Sequence, residues 1–220
     1  MSLVLTSQEA RVIGALIEKD MATPEYYPLS LHALVNACNQ KTNREPVTSY
    51  DEGTVESALA SLREKYLVSV LSGAGHRVVK YRHRASETLN VNNPELAVVS
   101  VLLLRGAQTL NEIKTRSESL HKFDDEASVR GVLERLAERG MTVLLARHPG
   151  TREARWTHLL TSEPRPSGSG GSVASEPRPP GSGSDELGVA RESLVDRVSR
   201  LEAEVADLKA SFAQFRKQLP

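Results

Sequence analysis

The sequence predicts a mainly α fold with small β-hairpins, an α+β class, in which two diverged copies of one helix-and-hairpin unit precede a linker and a C-terminal coiled coil. Three observations predict it: an internal repeat, a stretch that turns abruptly to Ser, Gly and Pro, and a sustained seven-residue apolar period. The implied boundaries are residues 1–88 and 89–161 for the two units, 162–184 for the linker and 185–218 for the coil.

The repeat shows first in Val55, Ala58, Leu59, Leu62 and Leu67, which match Val129, Val132, Leu133, Leu136 and Met141 at one fixed offset. Spacings of three and four give a single helical stripe in both copies, and each stripe runs into a β-rich segment, 67–71 or 141–145. A turn-rich stretch follows, then a second strand-like run, 78–81 or 153–156, so each copy is expected to end in a hairpin. Two helices precede each of these units. In the first copy, Thr6 and Glu9 form a capping box that opens the Val12, Ile13, Leu16, Ile17 stripe, and a second helix spans about 30–39. In the second copy Asn93 precedes Pro94 at a helix start, and Thr109 with Glu112 caps the next helix. Three helices followed by a hairpin is the winged-helix order, a helix-turn-helix with a β-wing, so the chain reads as tandem winged-helix domains. The first copy differs by a polar insertion, 40–50.

Residues 162–184 carry the duplicated spacer 162–166 and 175–179, and with Gly-rich chain statistics they span roughly 27 Å on average. Beyond them Leu187, Leu194, Leu201, Leu208 and Phe215 recur every seven residues, with Val198, Val205 and Phe212 three residues before the last three. Valine at a and leucine at d favour a parallel two-stranded coil, and Arg197 with Glu202 and Glu204 with Lys209 supply complementary flanking charges. A homodimer through these positions is the expectation; the alternative is a single amphipathic helix folded back onto the domains.

The 220 residues carry a formal net charge of zero, so no global field draws the chain to nucleic acid or an anionic membrane, and charge-led binding must come from local patches. One cysteine, Cys38, excludes an intrachain disulfide framework and suits a reducing compartment. The start has neither a basic n-region nor a long apolar run, so no signal peptide is expected and the cytoplasm is the expected location. The longest apolar stretch, 96–104, is far short of the roughly 20 residues needed to span a bilayer and reads as a buried helix.

Several blocks in order also resemble a known family: Glu9–Lys19, Pro28–Leu34, Ala37–Pro46, Arg77–Arg84 and Leu102–Gly106. Over residues 5–160 the chain is similar to the YceH-like proteins of bacteria, tandem winged-helix proteins without an established activity. The resemblance implies the fold and a bacterial setting and carries over no catalytic residue. It does not extend to the linker.

The strongest charge feature is the run from His76 to His83 and Arg84, with Arg77, Lys80, Arg82 and Arg84 and no acid inside it. Strand alternation puts Lys80, Arg82 and Arg84 on one face and Val79, Tyr81 and His83 on the other. Such a face can lie along a phosphate backbone, with Lys41 and Arg44 of the insertion as auxiliary contacts; equally, it can be a solvated edge strand guarded by charge. The third helices argue against base reading, because they open with Asp51, Glu52 and Glu56, or with Asp124, Asp125 and Glu126, where phosphate would approach. Tyr81 and Trp156 fall at matching points of the two hairpins and read as hairpin core.

Cys38 reads as a small packed side chain, the six histidines lack metal-ligand spacing, and no nucleophile, base and orienting acid are grouped. Neither a catalytic residue, a metal nor a cofactor is expected. The leading reading is a dimeric nucleic-acid-binding module, with regulation of transcription among its uses and DNA as the partner; the alternative is a scaffold that docks a protein partner on winged-helix surfaces.

Overall fold

A computed structural model of the chain describes residues 3–73, 76–146 and 153–161, with the backbone alone given for Gly73, His76 and Arg77. All of these lie within one compact unit, Met1–Gly171. The linker and the heptad positions from Leu187 to Phe215 lie outside the described residues.

The first half opens with α1 (Ser7–Ala22), which starts where Thr6 accepts from the Glu9 amide and Glu9 reaches back to the Thr6 amide. A two-residue strand, β1 (Leu29–Ser30), leads into α2 (Leu31–Cys38), and α3 (Glu52–Glu64) is capped by Asp51. The hairpin of β2 (Val68–Gly73) and β3 (His76–His83) follows, then a short α4 (Ala85–Thr88) that the sequence pattern does not predict. In the second half, α5 (Asn93–Arg105) starts one residue earlier than expected. Asn92, not Asn93, is the cap, and Glu95 completes the box. Then come α6 (Leu110–Ser117), capped by Thr109 and Glu112, α7 (Glu126–Glu138), capped by Asp125, and the hairpin β4 (Thr142–Leu144) with β5 (Trp156–His158).

The described residues therefore form an α+β protein with two small antiparallel sheets. The first has the order β1-β3-β2, so β3 is not an edge strand where Leu29 pairs with Tyr81 and Ser30 with Lys80. That overturns the edge-strand alternative at these positions; the two residues of β1 are too few for an alternating pattern to show. The halves correspond in register as well as in order. Val70 pairs with Tyr81 and Leu144 with Trp156, and Gln108, just before α6, bridges Trp156 as Leu29 bridges Tyr81.

The two halves share one hydrophobic cluster. Each first helix is buried on every side, α1 from Glu9 to Glu18 and α5 from Glu95 to Leu104, because each packs on its own half and on the other. Their approach depends on Gly14: a β-carbon there would lie 3.0 Å from Leu104 Cδ2 and 3.2 Å from Leu103 Cβ. Ser100 Oγ donates to the Gly14 carbonyl at 3.2 Å. The chain ends of the unit are also tied, the Leu5 amide donating to the Leu160 carbonyl at 2.7 Å. Among the described residues no helix is long and apolar enough to cross a membrane.

Candidate nucleic-acid interface

The first hairpin has a fixed side and a free side. On the fixed side Tyr81 packs against the core, and the His83 side chain is 5% exposed. The Tyr27 hydroxyl accepts from the His83 amide at 2.6 Å. The Ala85 amide donates to His83 Nδ1 at 3.2 Å, so Nδ1 is the acceptor and Nε2 carries the proton it donates to Asp20 Oδ2 at 2.9 Å. Burial pushes the imidazole below its ordinary value of 6.5, against the opposing pull of Asp20. Burial likewise pushes the Tyr27 hydroxyl up, so it stays protonated.

On the free side stand Lys80 and Arg82. Arg82 is exposed and held by its strand partner, Nε donating to Ser69 Oγ at 3.0 Å. Among the described residues neither Lys80 nor Arg82 has a carboxylate within ion-pair distance. Alternate residues of a strand stand about 6.7 Å apart, so the two cations form a short row. Toward the tip, Val78 and Val79 are 58% and 43% exposed. Consecutive strand residues point to opposite faces, so at this point the core covers neither face and the hairpin projects.

The other expected contacts divide. Arg84 is exposed but lies beyond the end of β3, and its Nε is 2.7 Å from Glu87 Oε2, which neutralises it. The Arg77 side chain lies outside the described residues. Lys41 is exposed on the insertion. Arg44 must be withdrawn. Its side chain is 0% exposed, with Nη2 and Nη1 at 2.6 and 3.0 Å from Glu18 and Nε donating to the Ala37 carbonyl at 2.9 Å. A guanidinium whose donors are spent inside the fold does not reach a phosphate, and Arg44 instead pins the insertion to α1. Arg11 assists, Nη2 donating to the Pro46 carbonyl at 2.6 Å and Nη1 to the Cys38 carbonyl at 3.3 Å.

The exposed face of α3 carries Glu52, Glu56 and Glu64 against Arg63. Hydrogen bonds from the Thr54 side chain and amide hold Asp51 below the usual carboxylate value, and those from the Ser128 amide and hydroxyl do the same for Asp125. Both third helices therefore begin on a firmly ionised carboxylate. Cys38 is fully buried, and burial raises its thiol to about 12, so it is held as the thiol. Among the described residues no three His, Cys, Asp or Glu side chains are grouped as a metal site requires. Trp156 is buried, in line with the hairpin-core reading.

Fold and site together define an α+β protein of two helix-and-hairpin halves, with a cationic strand face on the first. The family model described as "Protein of unknown function, DUF480" matches residues 5–151. The chain belongs to this family, as the sequence blocks implied. It is 48% identical over 219 residues to a "UPF0502 protein" of Pelobacter propionicus, covering 99% of this chain and 95% of the relative. A "UPF0502 protein" of Shewanella piezotolerans is 46% identical over 220 residues, covering 97% and 98% of the two chains. One from Geotalea daltonii is 51% identical over 167 residues, covering 75% and 76%.

Proposed function

We propose that the protein is a nucleic-acid-binding module of two winged-helix units, which contacts duplex phosphates through its first wing and is paired by its C-terminal heptads. The observation that carries the reading is the free face of β3, where Lys80 and Arg82 stand without carboxylate partners among the described residues while the opposite face is anchored by Tyr81 and His83. The winged-helix assignment is supported by the element order in both halves, including the short segment before the second helix that pairs with the second hairpin strand. Lys41 is an auxiliary contact and Arg77 belongs to the same strand. The ionised N-termini of α3 and α7 disfavour entry of either third helix into a major groove, so binding is wing-led and weakly selective for sequence. A single buried free cysteine fits a cytoplasmic setting.

Titration of labelled duplex at low salt tests this with the wild-type chain and with Lys80→Ala/Arg82→Ala. The double variant should lose about 2–3 kcal/mol of binding free energy, roughly 1–1.5 for each charge-assisted phosphate contact. A wild-type chain that binds no duplex at low salt would sink the reading. The exposed acids Glu52, Glu56 and Glu64 then favour the other use, α3 as a docking face for a protein partner.

A further inference from the structure

A second polar feature is independent of the wing. Where the insertion meets the second half, a cleft of about 280 Å³ is lined by Lys41 and Asn43, by Arg105 at the end of α5, by Gln108, by Arg116 of α6 and by Arg155 just before β5. Its carboxylates do not balance its cations. Glu112 is shared, 2.8 Å from Arg155 and 3.5 Å from Arg116, while it also caps the Thr109 amide. Arg44, at the rim, is taken by Glu18 outside the cleft. Among the described residues Glu45, the other lining acid, is exposed and makes no ion pair. Arg105 donates to Asn43 Oδ1, and neither it nor Lys41 has a carboxylate partner among the described residues. Burial, then the neighbouring Arg116 and Arg44, hold the Arg105 guanidinium below its ordinary value. Crowded cations of this kind are relieved by an anion whose oxygens match guanidinium forks.

Gln108 also lines the cleft, as a fixed wall. It is 3% exposed, and its Nε2 donates to the Arg105 and Ala107 carbonyls at 3.1 and 2.9 Å, which ties it to the backbone at the end of α5.

We propose that this cleft binds a small ligand through a tetrahedral oxyanion group, a phosphate, held by Arg105, Arg116, Arg155 and Lys41. Inorganic phosphate and a sugar phosphate both carry that group, and sulfate has the same shape and sign of charge. The cleft is at the small end of ligand pockets, which suits one compact metabolite.

The test is calorimetric titration and thermal denaturation of the full chain with inorganic phosphate, ribose 5-phosphate and sulfate at matched ionic strength. All three should bind and raise Tm with concentration beyond the effect of chloride at the same ionic strength; whether inorganic phosphate or ribose 5-phosphate binds more tightly assigns the source. Arg105→Gln should weaken binding by about tenfold or more, and the exposed Lys41→Ala, which leaves the core untouched, should weaken it several-fold. No binding of any of the three, a rise in Tm no larger than chloride gives, or unchanged affinity in Lys41→Ala would overturn the proposal.

Discussion

His83 is kept neutral by its surroundings, and that makes it a reporter of how the first hairpin is anchored. The folded imidazole lies below 6.5 because it is buried, so as pH falls through 6.5 the unfolded chain takes up a proton that the folded chain resists. Stability contributed by the neutral ring is complete above that value and is lost as pH drops toward the folded one. Burial pushes Glu9 up, but hydrogen bonds from Lys65, Ser61 and Thr6 outweigh it and hold the carboxyl below 4.5, so its own loss comes at lower pH. In His83→Gln, the fall in urea midpoint between about pH 7.5 and about pH 5.5 should be smaller than in wild type; an identical fall would mean that another group governs that window. Residue-scale reading of the sequence failed at Arg44, and for a clear reason. Residues 40–44 look like an exposed polar turn, and only the three-dimensional closure of the insertion onto α1 reveals Glu18 as the partner. The signal was in α1, where Glu9, Arg11 and Glu18 are the polar groups of an otherwise apolar buried stretch, 9–18, each needing a partner from elsewhere.

At the scale of elements, helix starts and the duplicated stripe were legible because capping chemistry and the 3.6-residue period are local. Thr6 and Thr109 cap where their boxes with Glu9 and Glu112 place them, and the acids expected at the starts of the third helices include the caps Asp51 and Asp125. β1 was not legible, since two residues have no period, and its pairing with β3 is a contact across fifty or more positions of chain. The α1–α5 crossing was equally hidden. A glycine inside a helix ordinarily costs about 1 kcal/mol relative to alanine, and at position 14 that cost accompanies a backbone approach which leaves almost no room for a β-carbon. Gly14→Val should push the two helices apart and lower unfolding free energy by about 1–3 kcal/mol in chemical denaturation. A midpoint equal to wild type would show that the crossing tolerates a wider spacing.

At the scale of the whole molecule, the proposed pairing through the heptads would let individually weak phosphate contacts on two copies act together. The pairing claim is carried by the heptads alone. Sedimentation should give the full chain twice its formula mass and Leu201→Lys/Leu208→Lys a single mass, because charge at two d positions breaks the apolar seam; equal masses for the two would remove the dimer. The central claim is that Lys80 and Arg82 displace counterions from a nucleic-acid backbone, and the most direct measurement is the salt dependence of duplex affinity. The logarithm of the association constant should fall linearly with the logarithm of salt concentration, and the slope should shrink by about 1.8 per chain in Lys80→Ala/Arg82→Ala, about 0.9 for each contact removed. An affinity independent of salt, or a slope that the double variant leaves unchanged, would contradict it.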